Sequence, residues 1–177
     1  LIVIKDEGGG MTKNKLLEIL KGALLLEHKG KALYMSVIES SKVKEVRDLF
    51  SLLAKEEGKH INVLNKQFSR ISKGEGFDIS DIKDTHAETS EAVLTDVIKE
   101  SVSGAGYEAA VISAALEFEK NSVKYYSEHA EGAQSEDEEK LFEWLRDWEK
   151  GHMMMLARID NDLKEKIWFD NQFWPLD

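Results

Sequence analysis

A chain of 177 residues with 34 acidic side chains against 24 basic ones and a net charge of −10 is sized for one domain with a real core. Cysteine is absent, which excludes disulfides, thiolate nucleophiles, zinc ribbons and iron–sulfur clusters, and the acidic balance excludes a general affinity for nucleic acid. No apolar run reaches the ~18 residues needed to cross a bilayer, and the N-terminus lacks a signal peptide's basic region and apolar stretch. A cytoplasmic protein with neither nucleic acid nor membrane as partner is expected.

Residues 1–10, LIVIKDEGGG, differ in character from the rest of the chain, and Met11 is expected to be the natural start, with 1–10 an artefact or a disordered leader. Pro175 is the one proline, and Glu, Lys, Leu and Ala are plentiful, a composition that favours long helices. A first helix is predicted over 13–40, with Leu16, Leu17, Leu20, Leu24, Ala32 and Met35 as its apolar stripe. Ser40-Ser41-Lys42 turns the chain, and a second helix follows to about residue 71, carried by Val46, Phe50, Leu53, Ile61 and Leu64. Residues 72–103 are a long connection opened by Gly74 and Gly76, with room for a short helix over 90–100. It is read as a crossover spanning the bundle, because Phe77, Ile79 and Ile82 can pack on the helices. A third helix is predicted over about 105–130, a loop with Gly132 and a Ser135 cap over 131–135, and a fourth helix over about 136–166. The domain is thus expected over 11–165, as hairpins 13–71 and 104–165 joined by the crossover. The aromatic tail at 166–177, with Trp168-Phe169 and Phe173-Trp174, is expected to fold back over the bundle or fill a crevice; a homodimer contact is its alternative role.

The two hairpins repeat one another. A shift of 92 positions lays Ala23-Leu24 on Ala115-Leu116, Glu27 on Glu119, Tyr34 on Tyr126, Leu49-Phe50 on Leu141-Phe142, Glu57 on Glu149 and His60 on His152 without a gap. Apolar matches are what a shared core requires; polar matches need another reason. In each half a Glu on the first helix precedes a Glu-x-x-His on the second by 30 residues, and a predicted turn lies midway. Positions i and i+3 share a helix face, and folding each hairpin at its turn brings Glu and Glu-x-x-His to one level, roughly 20 Å from the loop at ~1.5 Å per residue.

One Glu-x-x-His is a weak signal. Two copies with the same upstream Glu and turns at both midpoints are strong. Four carboxylates inside a bundle cannot all stay ionised without cations. Two divalent ions balance four glutamates when both imidazoles are neutral, and a mixed carboxylate–imidazole set suits iron or manganese better than structural zinc.

These motifs resemble those of the ferritin-like di-iron carboxylate proteins, and among them the rubrerythrins and their shorter relatives. ALLLEHKGKALY (23–34), LAKEEGKH (53–60), ALEFEKNSVKYY (115–126) and LRDWEKGH (145–152) are similar to that family's four helices. The resemblance implies an all-α ferritin-like four-helix bundle holding two iron ions, with manganese or a mixed pair as the alternative. It implies the ligands Glu27, Glu57, His60, Glu119, Glu149 and His152, with Glu57 and Glu149 as bridges. Redox chemistry with O2 or hydrogen peroxide follows, as a peroxidase or ferroxidase; iron storage without turnover and a metal-free interaction bundle are the competing functions. Two departures stand out. Without cysteine there is no rubredoxin module, so electrons must come from an external donor, and Ser122 occupies the position of the rubrerythrins' additional third-helix Glu. Both weigh against a peroxidase.

Around the motifs, the hydroxyls of Tyr34 and Tyr126, two turns beyond Glu27 and Glu119, are expected to hydrogen-bond the metal-binding carboxylates. Gly30 and Ser122 either leave room for an oxidant or permit close helix packing. Glu56, Glu117 and His28, each one or two residues from a motif position, are read as surface or rim residues. His86 and His129 have no partner spacing and no role.

Overall fold

The computed structural model describes residues 13–80, 82, 97, 98, 100–102 and 106–170, apart from the side chains of the last two. Four helices carry the described chain: α1 (Lys13–Ser40), α2 (Lys44–Ser72), α3 (Tyr107–Glu131) and α4 (Glu136–Asp170). They match the predicted helices to within two residues except at the end of α4, which runs on to Asp170. Trp168 is therefore helical and half exposed, and residues 171–177 of the expected tail lie outside the described residues, as do 1–10 and 83–96.

Helix ends are set by local chemistry. Between α1 and α2 the Ser41 hydroxyl accepts the amide of Val43 at 3.1 Å and donates to Glu108 at the start of α3, while Arg47 caps the Ser41 carbonyl at 3.0 Å. α2 stops where Gly74 adopts φ +83°, the left-handed conformation that closes a helix and that glycine takes without steric penalty. At α4 the Ser135 hydroxyl accepts the amide of Glu138, whose carboxylate turns back to the amide of Gln134. The run Glu136 to Glu139 complements the positive end of the helix dipole.

α1 packs on α2 and α3 on α4; α1 also lies against α3. Two apolar clusters fill the bundle. One, at the α1–α2 loop end, holds Val37, Val46, Leu49, Phe50, Ile112 and Ile159; the other, at the α3–α4 loop end, holds Leu20, Leu64, Ile71, Ala130, Leu141 and Phe142. Fully burying such a side chain contributes about 1.5–3 kcal/mol. The connection after α2 begins at the second cluster, where Phe77 is buried, Ile79 and Ile82 pack, and the Gln67 side chain clasps the backbone of Asp78 at 2.6 and 3.0 Å. Ile98 and Val102, near its far end, are buried in the first cluster. The connection thus leaves one end of the bundle and returns at the other, which makes α2 and α3 run in the same direction.

One detail of the predicted pattern is corrected. The buried stripe of α1 is Leu20, Ala23, Glu27, Gly30, Tyr34 and Val37, and Ala32 and Met35 are exposed. The stripe alternates steps of three and four through a polar residue and a glycine, so hydrophobicity alone misplaced its second half.

Candidate metal centre

Between the two apolar clusters lies a layer of polar side chains. Glu27 comes from α1, Glu57 and His60 from α2, Glu119 from α3, and Glu149 and His152 from α4; all six are at most 4% exposed. They form two overlapping groups, Glu27–Glu57–His60–Glu149 and Glu57–Glu119–Glu149–His152, in each of which one oxygen or ring nitrogen per residue lies within 4.8 Å of all the others. Glu57 and Glu149 belong to both. The i, i+3 spacing on α2 and α4 places each such carboxylate beside its own histidine.

Both histidines turn Nδ1 inward. That of His60 lies 3.0 Å from Glu27 Oε2, 3.2 Å from Glu149 Oε1 and 3.8 Å from Glu57 Oε2. That of His152 lies 3.4 Å from Glu119 Oε1, 3.3 Å from Glu149 Oε2 and 3.8 Å from Glu57 Oε1. Glu57 and Glu149 therefore offer one oxygen to each histidine, the placement of a bridging carboxylate. The imidazoles lie 6.1 Å apart, 28° from parallel.

Buried carboxylates this close are under strong electrostatic constraint. Burial, with the neighbouring Glu149 charge next, pushes the Glu119 carboxyl up to about 8 and Glu57 well above the carboxylate range. Glu149 goes the other way: burial would raise it, but the His152 and His60 rings outweigh that and hold it low. Burial would likewise lower both histidines, yet the surrounding carboxylates hold them well above the ordinary imidazole range. Without cations, protons neutralise the layer. Even so, Glu57 Oε1, Glu119 Oε2, both Glu149 oxygens and His152 Nδ1 have no hydrogen-bond partner among the described residues. Orphaned buried acceptors converging on two points are what a pair of divalent ions would satisfy. The donor set fits iron or manganese.

The family model for rubrerythrin matches residues 18–160. The chain belongs to the rubrerythrin family. Among solved structures, a hypothetical protein from Pyrococcus furiosus is similar with a TM-score of 0.60 and 22% identity, over 88% of this chain and 98% of that one, a likeness of fold. No curated protein matches the chain.

In this rubrerythrin-family chain the layer is braced from α1 and α3. Tyr34 donates its hydroxyl to Glu119, and Tyr126 donates to Glu27, so each tyrosine serves the other hairpin's glutamate. Both phenols are fully buried, and burial followed by the facing carboxylates raises them well above the ordinary tyrosine value. Gly30 serves close packing: a Cβ there would meet Phe118 Cε1 at 2.7 Å, with Glu57 Cδ at 3.5 Å. Ser122 is buried, and its hydroxyl returns to the Phe118 carbonyl of its own helix at 3.3 Å. Glu117 is exposed and pairs with Lys120, His28 is exposed, and half-buried His129 packs in a T-shaped contact with Tyr125; His86 lies outside the described residues.

The reading of Glu56 as a surface residue is overturned. It is 5% exposed and accepts a hydrogen bond from His152 Nε2 at 2.7 Å, across the α2–α4 interface. A turn of 100° from Glu57 keeps it within the face that α2 presents to α4. The environment of His60 was also missed: its ring packs edge-on against Trp144 and Trp148, at 5.5 and 5.7 Å.

Proposed function

We propose that this chain holds two iron ions in the central layer and uses them for redox chemistry with O2 or hydrogen peroxide, drawing electrons from a separate donor. The observation that carries this reading is the sharing of Glu57 and Glu149 between two buried groups of converging ligand atoms, several of which have no hydrogen-bond partner among the described residues. Glu27 and His60 would complete one ion's set, Glu119 and His152 the other's. When bound, a ferrous pair supplies two electrons, which with two protons suffice to turn hydrogen peroxide into two waters.

The chain's own residues set the conditions for that step. Tyr34 and Tyr126 orient Glu119 and Glu27 by hydrogen bonds and keep their protons, since burial disfavours phenolate. Phe50, Phe118 and Phe142 wall the tyrosines on their apolar sides and exclude bulk water. Three of the four oxygens of Glu57 and Glu149 have no hydrogen-bond partner among the described residues and would be available to the ions. With Ser122 buried where rubrerythrins carry a further glutamate, a cycle that depends on a fifth carboxylate from that position of the third helix lacks it here, and oxidation of ferrous iron itself is the simpler activity.

The test is metal analysis and iron-edge anomalous scattering of protein purified without added metal, followed by stopped-flow oxidation of the ferrous form. Two irons per chain between Glu57 and Glu149, oxidised faster by peroxide or O2 than free ferrous ion, are expected, and Glu149→Ala should lose most of both. Wild-type metal content in Glu149→Ala would refute the ligand set. Accumulation of many irons per chain would identify a storage protein instead.

A further inference from the structure

The 92-residue repeat that places six polar residues symmetrically fails at the residue just before each motif glutamate. In α2 that residue is Glu56; in α4 it is Trp148. The two histidines consequently have opposite surroundings on the side away from the layer. Behind His152, Glu56 Oε2 accepts from Nε2 at 2.7 Å, and both side chains are buried. Behind His60 stand the indole rings of Trp148 and Trp144, and His60 Nε2 has no hydrogen-bond partner among the described residues.

We propose that Glu56 makes the two ion positions unequal, so that the group of Glu57, Glu119, Glu149 and His152 fills first and holds its ion more tightly than the group of Glu27, Glu57, His60 and Glu149. This rests on the reading of the layer as a two-ion site. A carboxylate can only accept, so its contact with Nε2 keeps the neutral ring's hydrogen there and leaves the Nδ1 lone pair facing the layer. Glu56 also adds a fifth negative charge, on one side alone, and fixes the plane of the ring. A histidine backed in this way is a stronger, pre-oriented ligand, and loss of such a partner typically lowers metal affinity about 10–100-fold. His60 gains none of this. To offer Nδ1 to an ion it must place its hydrogen on Nε2, where no acceptor among the described residues receives it.

The experiment titrates chelator-treated protein with Co2+ without oxygen, following the ligand-field bands and the calorimetric heat, for wild type, Glu56→Gln, Glu56→Ala, His60→Ala and His152→Ala. Wild type should bind two ions in two steps. His152→Ala should remove the tighter step and His60→Ala the weaker. Glu56→Ala should weaken the tighter step about 10–100-fold with the weaker one unmoved, and Glu56→Gln, which still accepts through its amide oxygen, should fall between. In the Co2+-loaded protein the proton on His152 Nε2 should give a paramagnetically shifted signal that exchanges slowly with solvent, and rapidly in Glu56→Ala. Two equal steps in wild type, or equal weakening of both steps in the Glu56 variants, would overturn the inequality while leaving the two-ion site standing. Failure of wild type to bind Co2+ at all would overturn that site, and the inequality with it.

Discussion

Removing metal from this protein should reverse the usual comfort of a neutral pH. In the chelated chain the Glu119 carboxyl keeps its proton up to about 8, whereas the unfolded chain releases it near 4.5. Between those values the folded state binds more protons than the unfolded one, so stability falls as pH rises. Glu57, raised by the same burial, acts in the same direction. So do His60 and His152: held above 6.5 in the fold, they contribute stability below 6.5 that is lost as pH climbs through their folded values. Within the layer Glu149 opposes, since its lowered carboxyl adds stability above 4.5 that is lost as pH falls through its folded value, and that loss is confined to more acidic solutions than 4.5; outside the layer half-buried His129, lowered by burial, opposes as well, by one group against several.

One such group changes stability by about 1.4 kcal/mol per pH unit. From pH 5.5 to 7.5 Glu119 alone therefore withdraws about 3 kcal/mol, which in a chain this long lowers Tm by about 6–12 °C. Circular dichroism melts of chelator-treated protein at pH 5.5, 6.5 and 7.5, at constant ionic strength, measure the slope. Glu119→Gln, close in shape and without a charge, should flatten it by about one proton. Added Mn2+ should stabilise most at pH 7.5, because binding must displace those protons and does so more easily when they are scarce in solution. A chelated protein whose Tm is level or rises over this range would mean that the carboxylates are not crowded together away from water, and the electrostatic account of the layer would fall with it.

Two further outcomes are expected. Tyr34→Phe and Tyr126→Phe each remove one donor from a glutamate the phenol holds, so the rate of ferrous oxidation should drop more than metal content does; an unchanged rate would remove the tyrosines from the chemistry. Gly30→Ala and Gly151→Ala exchange the same residues at two helical sites with opposite surroundings: the first sets a Cβ 2.7 Å from Phe118, the second meets nothing within 4 Å. Overpacking costs about 1–3 kcal/mol against roughly 1 kcal/mol gained in helix propensity, so in urea denaturation Gly30→Ala should come out neutral to about 2 kcal/mol destabilised. Gly151→Ala should gain about 0.5–1 kcal/mol, and equal effects would mean that Phe118 does not press on Gly30.

Much of this architecture was legible because the repeat reports on packing and on chemistry at once. Leu49-Phe50 and Leu141-Phe142 recur because each lies on the face its hairpin turns to the core, while Glu27, Glu57 and His60 recur with Glu119, Glu149 and His152 although nothing apolar would select them. Helix limits followed from Ser, Gly and the near absence of proline. The lower half of α1 misled because its buried stripe passes through Gly30 and Tyr34, and the apolar Met35 beside them faces solvent. The crossed tyrosine contacts could be expected only as contacts with some carboxylate: which glutamate each phenol reaches depends on α1 lying against α3, a tertiary fact that spacing within either helix does not contain.

Glu56 shows where reading by charge goes astray. Its angle to Glu57 on the helix suggested solvent, as it did correctly for Glu117 beside Glu119. But α2 packs on both α1 and α4, and its buried arc runs through Leu49, Leu53, Glu56, His60, Leu64, Gln67 and Ile71, steps of three and four that include the glutamate. The repeat held the same information, because the position equivalent to Glu56 is occupied by Trp148, and a tryptophan on a core helix marks an interior place. A carboxylate there has to meet a donor, and the one facing it is His152 Nε2. The mismatch in the repeat at Glu56 and Trp148 therefore puts a carboxylate against one histidine of the layer and an indole near the other, and it is a place where two hairpins that repeat their six polar residues stop being chemically equivalent.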